Sequence, residues 1–166
     1  MNLQVTIVQI NIEGNNMTDW IDDIVTKEKQ RQSNKLEKEK MTLYKDRMIK
    51  ALFPAFWKAL QKQINKDCLE LKEKLPDSTK HHIQIEDSTD EKFTLTCEEA
   101  PPFHQISVQH NINGQRIEIS GGHTTEHIDI DIVNDKTLIF TWEGRTYKTE
   151  QQISQALIKY CLGCKE

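Results

Sequence analysis

The stretch Ile106-Ser107-Val108-Gln109-His110-Asn111-Ile112-Asn113-Gly114-Gln115-Arg116-Ile117-Glu118-Ile119-Ser120-Gly121-Gly122 decides the fold class. Apolar residues alternate with polar ones on either side of Asn113-Gly114. Successive side chains of a strand point to opposite faces of a sheet, so each run predicts a strand with one buried face. Asn-Gly between two such runs is a hairpin signal. The same period continues outward in both directions, through His81-Ile83-Ile85 and Phe93-Leu95-Cys97 upstream, and Ile128-Ile130-Ile132 and Leu138-Phe140-Trp142 downstream. Asp87-Ser88-Thr89-Asp90, Ala100-Pro101-Pro102, Gly121-Gly122, Asn134-Asp135 and Glu143-Gly144-Arg145 punctuate it, the last leading to a short strand near Thr146–Lys148. Linkers this short cannot hold crossover helices, so six or seven strands form an antiparallel meander. With one face apolar and one polar, helices are expected on one face only.

Upstream the period changes. From Thr18 to Leu75 there is no glycine and a single proline, Pro54. Thr18 is a suitable N-cap, and Asp19, Asp22 and Asp23 suit a helix N-terminus. Residues 26–50 are mostly Lys, Glu, Gln and Arg, with sparse apolar positions (Leu36, Met41, Leu43, Tyr44, Met48 and Ile49). After Lys50 the apolar residues Leu52, Phe53, Phe56, Trp57, Leu60, Ile64, Cys68, Leu71 and Leu75 recur at spacings of three and four, an amphipathic helix. Pro54 removes one backbone donor, so a kink or a fresh helix start is expected there. Thr149-Glu150-Gln151-Gln152 fits a capping box for a short C-terminal helix that carries Ile153, Ala156, Leu157, Tyr160 and Cys161 and stops at Gly163.

The expected architecture is therefore α+β: a long N-terminal helical segment, the antiparallel meander, and a short closing helix. Residues 17–166 read as one domain with a charged helical arm, 18–50. Residues 1–16 read as a strand (3–12) or as an extension upstream of Met17.

The chain has 166 residues and a formal charge of −4, enough for one sizeable core. That charge hides a polarity: residues 26–50 carry nine basic and four acidic side chains, whereas 77–135 carry three basic and twelve acidic. No run approaches the ~20 apolar residues of a membrane helix, and no secretion signal is evident, so a reducing cytoplasm is expected. Four cysteines, Cys68, Cys97, Cys161 and Cys164, are too few for a disulfide scaffold. The basic segment has one aromatic residue and lies beside an acidic sheet, which disfavours nucleic acid.

Three constellations bear on chemistry. His123-Thr124-Thr125-Glu126-His127 matches the H-x-x-E-H spacing of inverted zinc metalloproteases. That chemistry needs a helix, so that the histidines one turn apart converge on a metal with the glutamate as base. Here Gly121-Gly122 precedes the motif and a period-two run begins at His127, so a turn and strand are expected instead. A closed metal site from His123, His127, Cys161 and Cys164 has suitable ligand types, but Cys161 lies on the apolar stripe of the last helix. The polar sheet face is the third: if strands 115–120 and 127–133 pair, Arg116, Glu118, His127, Asp129 and Asp131 come together as an interaction face.

No catalytic residue and no cofactor motif emerges. The leading expectation is a non-enzymatic protein–protein interaction or adaptor domain. Its partner would be another protein or a second copy of the chain through the 18–50 helix. The alternatives are a metal-binding module or metal-dependent hydrolase built on 123–127, and a carrier of small apolar ligands using Phe53, Phe56, Trp57 and Trp142.

Overall fold

The structure, a computed structural model, describes residues 16–75, 83–97, 104–134 and 136–163. The strand reading for residues 3–12 and the side chains of Cys164, His81 and His82 lie outside them. The chain divides into two units, Met1–Thr42 and Leu43–Glu166.

One helix, α1 (Asn16–Lys74), covers 59 residues and belongs to both units. The fresh start expected at Pro54 is absent: α1 continues through it. The carbonyl that loses its N–H partner there belongs to Lys50. Lys50 and Pro54 are both exposed, so the unpaired group lies on the side that water reaches, the side on which helices tolerate such a loss.

In the second unit α1 turns a stripe of Ile49, Phe53, Trp57, Leu60, Ile64 and Cys68 into the core, each no more than 2% exposed. Spacings of four, four, three, four and four keep these residues on one side of a 3.6-residue helix. Ile49, read as part of the sparse segment, is its first member.

Seven strands follow: β1 (Ile83–Glu86), β2 (Lys92–Cys97), β3 (His104–Asn111), β4 (Arg116–Gly121), β5 (Thr124–Val133), β6 (Thr137–Trp142) and β7 (Arg145–Tyr147). They pair in sequence order, every pair antiparallel. The meander is thus as the period and turn chemistry require. One face carries Phe93, Leu95, Val108, Ile117, Ile119, Ile128, Ile130 and Phe140, all buried against the two helices.

The turns hold two differences from simple hairpin chemistry. Asn113-Gly114 lies in a four-residue connection in which Asn111 Oδ1 accepts the Gly114 N–H at 2.9 Å, and Gln115 adopts the left-handed conformation, φ 51°. The two-residue turn with both φ positive is at Glu143 (50°) and Gly144 (78°), between the paired residues Trp142 and Arg145; this matches the strand twist.

The last helix, α2 (Glu150–Cys161), begins at Thr149, whose side chain accepts from Gln152 N. Gln152 reaches back to the Lys148 N–H at 2.8 Å, one residue before the usual capping-box partner. Gly163 takes the positive φ (70°) expected after the helix. Ile153, Leu157, Ile158 and Cys161 join the core. Ser154, fully buried, donates to Asp67 of α1 at 2.6 Å, which ties the helices together. Among the described residues no helix is long and apolar enough to cross a membrane.

Candidate functional site

The H-x-x-E-H segment is a turn and a strand. His123 follows Gly122 (φ 60°) in the β4–β5 turn, and Thr124 to His127 open β5. Neighbouring strand residues point to opposite faces, so Glu126 and His127 diverge. Glu126 lies opposite Ile119 on the helix-covered side. Its Oε2 accepts the Trp142 Nε1–H at 2.7 Å and its Oε1 accepts the Tyr160 hydroxyl at 2.9 Å. The carboxylate thus joins β5, β6 and α2. Burial, with the Glu126 carboxylate adding to it, raises the Tyr160 phenol above its ordinary value. The alternation alone carries this signal, since Glu126 has the parity of Ile128 and Ile130.

Cys161 is fully buried in α2, its thiol directed at the Leu95 carbonyl 3.7 Å away, whereas His123 and His127 are exposed. His127 is on the polar face and Cys161 under the apolar one, so the sheet separates them. Among the described residues no group of three or more His, Cys, Asp or Glu could hold a metal ion. Burial raises the Cys68 thiol to about 11 and the Cys161 thiol to about 12, the neighbouring Cys97 and Cys68 adding to the second. Thiols held this far from ionisation are poor nucleophiles and poor ligands at neutral pH.

The polar sheet face assembles as the strand pairing requires. Arg116 stands opposite Asp129, and Glu118 opposite His127. Arg116 Nε donates to Glu118 at 3.0 Å and Asn111 Nδ2 to the same oxygen at 3.3 Å; Asn111 first, then Arg116, lower the Glu118 pKa. Asp131, further along β5, accepts Lys45 Nζ of α1 at 2.8 Å, which lowers its pKa. These five residues occupy one face, on which Arg116 pairs with Glu118, and Lys45 reaches Asp131.

Of the four aromatics considered for a ligand pocket, Phe53, Trp57 and Trp142 are buried in the core. Phe53 and Trp57 lie against His110, with ring centroids 5.2 and 5.0 Å away. Phe56 stacks on Phe140 at 4.3 Å and lines an open depression of about 330 Å³ with Leu52, Leu138, Lys136 and Lys148.

The first unit presents a different surface. Every residue from 19 to 42 is exposed, among them large apolar side chains: Trp20 is 54% exposed, Ile21 47%, Ile24 55%, Val25 43%, Leu36 53% and Met41 57%. Scattered exposed apolar residues are ordinary. A tryptophan, two isoleucines and a valine within six residues of one helix are a patch, of the kind that marks association surfaces. No protein-family model, curated protein or solved structure matches the chain.

Proposed function

We propose that the chain is a protein–protein interaction module, and that its binding element is the helical segment of the first unit rather than a catalytic or metal centre. The observation that carries this reading is the exposure of Trp20, Ile21, Ile24 and Val25 together. Aromatic and aliphatic anchors that lose water on binding supply most of the energy of protein interfaces, and tryptophan is prominent among them. The aspartates within the patch and the lysines and Arg31 that follow it contribute a polar rim that steers encounter more than it adds affinity.

The polar sheet face is the weaker candidate. Glu118 and Asp131 already hold Arg116 and Lys45, so a partner engaging them would have to replace existing pairs. Glu126, the acid of the metalloprotease-like motif, is engaged by Trp142 and Tyr160, which favours an adaptor over a hydrolase.

The test is affinity capture with the full chain from lysate of its source cells, comparing the wild type with W20K/I24K. Capture should be lost in the variant. Its thermal unfolding should stay within about 0.5 kcal/mol of wild type, because exposed positions away from packed features contribute little to stability. Undiminished capture by W20K/I24K would refute the assignment to this helix.

A further inference from the structure

The exposed helix of the first unit is complementary to itself. Resting on the interaction reading above, we infer that its occupant is a second copy of this chain, with the two helices packed antiparallel along residues 16–42.

Residues 16–25 carry Asp19, Asp22 and Asp23 and no basic side chain, a net −3. Residues 26–42 carry six basic and three acidic side chains, a net +3. Two such helices side by side in parallel oppose −3 to −3 and +3 to +3. Antiparallel, with Leu36 opposite the Ile21–Val25 turn, each acidic end lies along residues 34–42 of its partner, where Lys35, Lys38 and Lys40 outnumber Glu37 and Glu39, and the helix dipoles also oppose favourably, while the basic middle, residues 26–33, faces its own copy.

The apolar pattern agrees. At 100° per residue, Ile21, Val25 and Leu36 fall within about 60° of one another around the helix, with Ile24 about 60° and Trp20 about 100° beyond Ile21, outside this contact. Ile21 and Val25 are one turn apart, so they flank a gap of the size that receives a single side chain in paired helices. An antiparallel register that seats Leu36 of one copy between Ile21 and Val25 of the other repeats itself by two-fold symmetry, as a closed dimer requires. Asp22 and Lys40 are about five full turns apart and therefore share one flank of this stripe. In the antiparallel pair residues on the same flank meet, which puts Asp22 of each copy near Lys40 of the other. The absence of clean heptads, which argues against a long parallel coiled coil, does not affect a two-patch contact of this kind.

The contact covers a helix of about 40 Å with few apolar residues, so association should be in the micromolar range and sensitive to salt. Sedimentation equilibrium of the purified full chain should show a monomer–dimer equilibrium whose dissociation constant rises about tenfold from low to high salt. A parallel pair would tighten with salt instead. D19K/D22K/D23K carries a positive charge in both halves, and K35E/K38E/K40E a negative charge in both; each alone should be monomeric, and an equimolar mixture should form a heterodimer. Recovery in the mixture shows that neither variant failed through loss of the helix. A wild-type chain that stays monomeric at hundreds of micromolar, a dimer strengthened by salt, or a mixture that does not associate overturns the inference. If the chain is monomeric while lysate capture still depends on Trp20 and Ile24, the second copy is refuted and the interaction reading stands.

Discussion

Glu126 shows how one residue's position in a sheet decides its chemistry. In a helix, its spacing from His123 and His127 would make it the base of a metal site. In β5 it faces away from His127 and accepts hydrogen bonds from Trp142 and Tyr160. Its role is then cohesion of β5, β6 and α2, through two donors that need a carboxylate to accept from both. Gln at this position keeps one acceptor and turns an amide donor toward a second donor, so E126Q should destabilise the chain by about 1–3 kcal/mol. Y160F, which removes one donor from a carboxylate that keeps Trp142, should cost about 1 kcal/mol. Urea denaturation followed by tryptophan fluorescence measures both. If both variants matched wild type in stability, the carboxylate would not be holding these elements together. The alternation that puts Glu126 on the helix side is plain in the sequence; its two partners are not, because Trp142 and Tyr160 arrive from 16 and 34 residues further along the chain.

At the scale of elements, α1 is the clearest case. Its length follows from the absence of glycine between Thr18 and Leu75, and its buried stripe from spacings of three and four. Its passage through Pro54 does not follow from local sequence, where proline argues for a break. What overrides the break is burial on both sides: Ile49 and Phe53 before and at the junction and Trp57 after it belong to one core, and an interrupted axis would remove one group from the sheet. Pro54 itself is exposed. P54A should therefore restore the hydrogen bond to the Lys50 carbonyl without disturbing packing, and raise stability by up to about 3 kcal/mol. A lower denaturation midpoint in P54A would instead mean that the fixed proline geometry directs α1 onto the sheet.

At the scale of the whole molecule, the titrating groups bracket its stability. Asp131 and Glu118 have lowered pKa values through hydrogen bonds led by Lys45 and by Asn111. A group depressed in the folded state lends stability above its ordinary value, 3.8 for Asp and 4.5 for Glu, and that stability is lost as pH falls through the folded value. Cys68 and Cys161 act in the opposite sense. Their raised values lend stability that is complete below the ordinary 9.0 and lost as pH rises toward about 11 and about 12. Unfolding free energy should thus be level between about pH 5 and 8.5 and fall on both sides. K45M should flatten the acid side by roughly 0.5 kcal/mol, a small amount because Asp131 is well solvated. C161A should lower the plateau and flatten the alkaline side. A pH profile of chemical denaturation checks all three, and an alkaline limb unchanged in C161A would show that the thiol does not titrate with folding.

The α+β class, the meander and the helical stripe are all legible along the chain, because periods of two and of three to four, together with turn residues, are local properties. So is the meeting of Arg116, Glu118, His127 and Asp129, since strand pairing across a short turn follows from register. The unbroken passage of α1 through Pro54, the hold of Glu126 on Trp142 and Tyr160, and the reach of Lys45 to Asp131 emerge only in the folded chain. Those outcomes depend on side chains far apart in sequence meeting at one place, and their free energies arise from burial and hydrogen bonding that no local pattern contains.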